Sequence, residues 1–196
     1  MSIYYETYPV ELPPDHRLIF LDTETTGLTP QDGHRIVEIA AIEYVYGRPS
    51  GKVFHTYLNP DREIDAGAQK VHGLTLEFLA DKPRFEEIAN ELIHFIAGAN
   101  LVIHNAPFDL SFLNSELERA GQPAIHEHCK GILDSLKIAK SIRPGRRNSL
   151  DALCLDYGVD ISMRTLHGAL LDAELLAEVY CLMIQDNQTS LGITAT

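Results

Sequence analysis

Cysteine is scarce in this 196-residue chain: Cys129, Cys154 and Cys181 are widely spaced and form no Cys-x-x-Cys pair. That excludes a disulfide framework and a thiolate zinc cage, and leaves reduced, mostly buried thiols. No apolar run approaches the length of a membrane span. The first fifteen residues, polar with prolines at 9, 13 and 14, lack the apolar centre of a signal peptide. A cytoplasmic protein with no membrane partner and a short flexible leader over residues 1–16 is expected. Positive charge is also in short supply, with 16 Lys and Arg against 28 Asp and Glu and a formal net charge of −12. Gripping long duplex nucleic acid by its phosphates takes clustered lysine and arginine. Any nucleic-acid contact should therefore be local and metal-assisted, or delivered by a partner.

What is present is enough for one core-bearing domain, expected over residues 17–184. Leu18 to Leu21 is an apolar run suited to a buried strand, and Ile36 to Val45 is rich in β-branched residues. A turn over Gly47–Gly51 and a strand from Val53 to Leu58 continue it in antiparallel fashion. Asp81 with Pro83 opens a helix whose stripe is Phe85, Ile88, Ala89, Leu92, Ile93 and Ile96, stopped by Gly98. Leu101–Ile103 reads as another buried strand, and Asn105-Ala106-Pro107 starts a helix that ends at Gly121. Residues 131–134 suit a last short strand, followed by helical patterns at 136–142, 150–157 and 169–183. The pattern implies an α/β fold: a mixed sheet, its first three strands antiparallel, flanked by helices. From Gln185 the apolar period stops, so residues 185–196 are expected to form a flexible tail.

The first strand ends in Asp22-Thr23-Glu24. Strand side chains alternate faces, so the two carboxylates point the same way and repel each other unless a cation sits between them. A strand running into a polar turn is the plainer account of the same residues. Asp109 lies three and four residues before Phe112 and Leu113, and Asp172 stands likewise before Leu175 and Leu176. Each helix thus turns a carboxylate toward the core near its N-terminus, where an unpaired charge is costly. A partly exposed first-turn aspartate favoured by the helix dipole is the alternative. Four acids on three elements can nevertheless converge as a two-metal site requires. His167, five residues before Asp172, is expected at or before a helix start, over the same cavity; a surface histidine is the alternative. A histidine there can take a proton from a metal-bound water near neutral pH.

Asp22-x-Glu24, Asp109 within Ile103-His104-Asn105-Ala106-Pro107-Phe108-Asp109, and His167-x-x-x-x-Asp172 resemble the three motifs of the DEDDh 3′→5′ exonucleases, whose fold is ribonuclease H-like. Further likeness runs through Val71-His72-Gly73, Asp81-Lys82-Pro83, Arg147 to Leu153 and Arg164 to Ala173. It is with the proofreading branch that serves bacterial DNA polymerase III, and it spans roughly Arg17 to Met183. The resemblance implies two divalent ions, Mg²⁺ or Mn²⁺, bound by Asp22, Glu24 and Asp172, with Asp109 completing the cluster directly or through water. It implies His167 as general base and stepwise release of nucleoside 5′-monophosphates from mispaired DNA 3′ ends, preferably single-stranded. His72 would touch the terminal nucleotide, with Thr25, Thr26 and Leu28 lining its pocket. His104 and Asn105 would brace the helix carrying Asp109, and Arg146 and Arg147 could touch phosphates or form a solvated loop. Implied partners are the polymerase catalytic subunit, a small stabilising subunit and the sliding clamp. The clamp would be reached through Gln188-Thr189-Ser190-Leu191, although Gly192-Ile193 departs from the usual ending. Two other readings use the same residues: a DEDDh ribonuclease or general single-strand exonuclease, and a catalytically silent scaffold subunit.

Overall fold

The computed structural model describes residues 17–162 and 166–190, with side chains up to residue 187. Five strands, β1 (Arg17–Thr25), β2 (Ile36–Val45), β3 (Arg48–Tyr57), β4 (Asn100–Ile103) and β5 (Gly131–Asp134), form one sheet ordered β3-β2-β1-β4-β5. The first three are antiparallel, and β4 and β5 run parallel to β1, giving the mixed sheet expected. Helices α3 (Phe85–Ile96) and α4 (Ala106–Arg119) cover one face; α6 (Leu150–Tyr157) and α7 (Ala169–Ser190) cover the other.

Because β1 is central and covered on both sides, its apolar residues need not alternate with polar ones. Ile19 and Leu21 join Ile39, Ala41 and Leu101 in the core under α3 and α4. Leu18 and Phe20 join Ala40, Ile42 and Val102 under α6 and α7. Phe20 meets Tyr44 and Tyr180 edge-on at 5.1 and 5.5 Å, and its burial contributes about 2 kcal/mol. The same parity carried to the strand end puts Asp22 and Glu24 on the α7 face and Thr23 on the α4 face.

Several elements differ from the sequence pattern. The hairpin turn is the pair Tyr46–Gly47, both at positive φ (52° and 73°), and β3 starts at Arg48, five residues before Val53. A two-residue turn of that hand matches strand twist, and Pro49 is tolerated because β3 is the sheet edge. Helix α3 begins at Phe85 rather than near Asp81: Glu87 accepts the Arg84 N–H at 2.7 Å, while Asp81 pairs with Lys82. Two short helices, α1 (Ala66–His72) and α2 (Leu76–Leu79), occupy a stretch with too few residues per element for a period to register. The chain after Gln185 continues α7 to Ser190 instead of leaving it. Between β5 and α6 runs α5 (Ser135–Ile142), capped by Asp134, whose carboxylate accepts from the Leu136 and Lys137 amides. No helix among the described residues is long and apolar enough to cross a membrane. The leader 1–16, Arg164, Thr165 and the Leu191–Ile193 part of the clamp-binding stretch lie outside the described residues.

Candidate active site

The site stands where β1 ends. Asp22 and Glu24 face α7, and Asp172 sits in the first turn of that helix, its N–H bonded to Gly168 O at 2.9 Å. His167 lies just ahead of the helix, as its spacing predicts. Its Nδ1 is 3.2 Å from Asp172 Oδ2, and its backbone N–H donates to Val71 O at 3.1 Å. Ligand atoms of Glu24, His167 and Asp172 all lie within 4.8 Å of one another. Glu24 and Asp172 are nearly buried, whereas the His167 side chain is 45% exposed.

Asp109 reaches the site from the opposite face. Asn105, in the left-handed conformation (φ 66°), swings the chain from β4 into α4, and Arg35 grips Glu116 of α4 with two 2.7 Å bonds, fixing the helix against the start of β2. Asp109 thereby meets Thr23, whose hydroxyl donates to its Oδ1 at 2.7 Å. Its position is apart from the Glu24–His167–Asp172 group yet near enough to influence Asp22 electrostatically. Burial pushes the Asp109 carboxyl from the usual 3.8 up to about 7. Burial, then the charges of Asp109, Glu24, Asp172 and Glu38, hold the Asp22 carboxyl well above the ordinary range. Removed from water, these carboxylates resist sharing one site in ionised form.

The residues expected to line the nucleotide pocket divide into two kinds. Leu28 is 83% exposed and available for an apolar contact. Thr25 and Thr26 are buried and build the loop: the Thr25 hydroxyl donates to Gly27 O at 2.7 Å, and Thr26 Oγ1 pairs with His34 Nδ1 at 3.0 Å and accepts from the Arg35 amide. The His34 ring lies against Gly27 so closely that a Cβ there would fall 2.2 Å from it, so only glycine fits. His72, at the end of α1, is 5% exposed; its Nδ1 accepts from the Leu74 amide and burial lowers its pKa, leaving a neutral ring beside Thr25. His104 bonds Ser135 Oγ at 2.9 Å, tying the end of β4 to the start of α5.

Sequence reasoning missed Glu38. It is paired in register with Glu24, is almost fully buried, and is held by His55 Nε2 at 2.8 Å. The signal was available: an acid within Ile36-Val37-Glu38-Ile39, a strand otherwise buried on both faces, must have a partner. Thr23 and His34 were missed because their partners are distant in sequence or lie across a loop.

The carboxylates are hard oxygen donors suited to small divalent cations, and the crowding of their charges fits a cation among them. A ribonuclease H-like sheet with acids at one strand end and an aspartate and histidine at the head of the last helix defines a class, the exonucleases. The chain belongs to the Exonuclease family (RNase_T), which matches residues 19–180. It is 53% identical over 175 residues to DNA polymerase III subunit epsilon of Rickettsia typhi, spanning 89% of this chain and 76% of that protein. It is 52% identical over 182 residues to the same subunit of Escherichia coli K12, spanning 90% and 74%. Among solved structures, exonuclease X in complex with 5′ overhanging duplex DNA superposes with a TM-score of 0.66 at 29% identity, covering 91% of this chain and 95% of that one. The enzyme is a 3′→5′ exonuclease similar to the epsilon subunits.

Proposed function

We propose that this exonuclease proofreads DNA, removing mispaired 3′-terminal nucleotides as 5′-monophosphates, and that two Mg²⁺ or Mn²⁺ ions are held by Asp22, Glu24 and Asp172 with Asp109 completing the cluster. The observation that carries this reading is the meeting of ligand atoms of Glu24, His167 and Asp172 within 4.8 Å; burial, and then four other carboxylates, oppose the ionisation of Asp22 beside them. Bound divalent ions supply charge to the scissile phosphate and make water a stronger acid. The protein supplies the rest. Asp172 accepts from His167 Nδ1, orienting the ring so that Nε2 is the basic nitrogen. His167 takes a proton from the attacking water, the water oxygen bonds to phosphorus, and the bond to the 3′ oxygen of the preceding nucleotide breaks, that oxygen keeping the electron pair and taking a proton from solvent. Thr23 keeps Asp109 turned toward the strand end, and Leu28 offers an apolar surface to the terminal base.

Proofreading places the enzyme in the cytoplasm beside the polymerase III catalytic subunit, with the sliding clamp engaged through Gln188–Leu191 and a small stabilising subunit as a further partner. Partners that present a frayed 3′ end explain how so acidic a chain can act on DNA. The purified chain with Mg²⁺ should degrade single-stranded and mispaired 3′ ends faster than perfectly paired ones, because a paired end must melt first. Equal rates on paired and mispaired DNA would overturn proofreading, and faster cleavage of matched RNA would favour the ribonuclease reading.

A further inference from the structure

The chain's few positive charges are unevenly placed. Residues 135–150 contain Lys137, Lys140, Arg143, Arg146 and Arg147 and no acid, a charge of +5 against −17 in the other 180 residues. Arg143 serves the fold, since its guanidinium is buried, pairs with Asp156 and lies over the Tyr157 ring at 5.4 Å. The other four side chains are exposed. Arg146 and Arg147 project from the connection between α5 and α6, and that connection is tied down. The Arg146 amide donates to Arg143 O at 3.3 Å, and buried Asn148 donates from Nδ2 to Arg146 O at 2.9 Å and Arg143 O at 3.5 Å. Gly145 (φ 78°) makes the bend, and Ser149 caps α6 by accepting the Ala152 amide.

The loop also returns to the active site. The His104 ring, bonded to Ser135, lies beside the Asn148 backbone, and the next residue, Asn105, opens the helix that carries Asp109. Asp134, which caps α5, is close enough to raise the Asp109 carboxyl, and Cys154 of α6 feels the charge of Asp172. A stiff basic loop therefore stands on the β4–β5 side of a carboxylate cluster. A polyanion approaching that cluster is repelled by most of the surface and attracted here.

We infer that the Pro144–Asn148 loop, with Lys137 and Lys140 beside it, binds the phosphodiester backbone of the single strand upstream of the scissile phosphate. This rests on the DNA exonuclease reading above. Guanidinium forks match phosphate oxygens in pairs, and two adjacent arginines on a fixed loop can serve successive phosphates. Each phosphate so neutralised adds about 0.7 to the salt dependence of single-strand binding.

The test compares Arg146→Gln/Arg147→Gln with Arg146→Lys/Arg147→Lys in the full chain. Binding of a labelled DNA strand of about twelve nucleotides, and of a dinucleotide, is followed by anisotropy in Ca²⁺ between about 0.05 and 0.3 M salt. The glutamine pair should bind the longer strand about tenfold more weakly at 0.1 M salt, with the log–log salt slope flatter by about 1.4. Its dinucleotide affinity and melting temperature should stay at the wild-type values, and the lysine pair should keep most of the affinity. Wild-type affinity and slope in the glutamine pair would overturn the proposal, as would an equal loss on the dinucleotide. So would intact DNA binding with lost co-elution with the polymerase catalytic subunit, which would make the loop a protein contact. Failure of the DNA exonuclease reading itself looks different: the wild-type chain would then neither bind nor degrade the strand.

Discussion

The two walls of the active site are built on opposite plans. Asp22 and Glu24 belong to the central strand, paired with β2 along its length and with β4 over Leu18–Phe20, and backed by two hydrophobic cores. Facing them, His167 precedes its helix, is nearly half exposed, and is linked to the α1 end by its amide bond to Val71 O and by Leu166 packed on Gly73. A charge cluster that must hold its shape against self-repulsion is placed on the stiffest element. The group proposed to exchange a proton with water is placed where water reaches it. The difference separates a cost in binding from a cost in chemistry, and substitutions on each wall should expose it.

The largest effect is expected on the strand wall. Asp22→Ala should lower exonuclease turnover by about 10³-fold or more at any Mg²⁺ concentration, with the fold intact by circular dichroism. Persistent activity in that variant would refute the metal assignment. On the facing wall, His167→Ala should cost about 10²–10³-fold in turnover with little change in Mn²⁺ affinity measured calorimetrically. An equal loss of Mn²⁺ affinity would make His167 a ligand first and a base second.

The third effect is on stability. The folded pKa of Asp109 lies near 7, above its unfolded value of 3.8, so its stabilising contribution is present below pH 3.8 and is lost as pH rises through about 7. The metal-free Asp109→Asn variant should therefore melt several degrees above wild type at about pH 8, with the gain vanishing in acid. Mg²⁺ should raise the melting temperature of wild type more than that of the variant. The smallest effect belongs to Gly73→Ala. Its φ of 74° disfavours a side chain, and the new Cβ would fall 2.6 Å from Leu166 Cδ1, a flexible group able to yield. Turnover should drop about threefold as His167 is displaced, with Mn²⁺ affinity unchanged. A drop in Mn²⁺ affinity would mean that the two walls are mechanically coupled.

The strand wall was the part most legible in the sequence, because a buried strand interrupted by Asp-x-Glu breaks its own apolar rule. The inward aspartates of α4 and α7 were legible from helical spacing. That α4 and α7 lie on opposite faces was not, and so the Thr23–Asp109 bond could not be foreseen: it joins residues 86 positions apart. Glu38 was overlooked for a related reason, since its meaning depends on the β2–β3 register that brings His55 beside it. The tight Tyr46–Gly47 turn escaped because Pro49 and Gly51 suggest a longer loop until β3 is known to be the sheet edge.

Helix α7 does more than cover the sheet. It is an unbroken rod from the turn that bears Asp172 to Ser190, and at 1.5 Å per residue these two points are separated by roughly 27 Å. Its shaft is fixed by packing on β1, β2 and α6. A partner bound at the Ser190 end would act on a lever arm whose other end is the candidate active site. The length of that arm sets the distance from the helix end to the candidate site, and a one-turn insertion would lengthen it by about 5.4 Å while leaving the facing direction nearly unchanged.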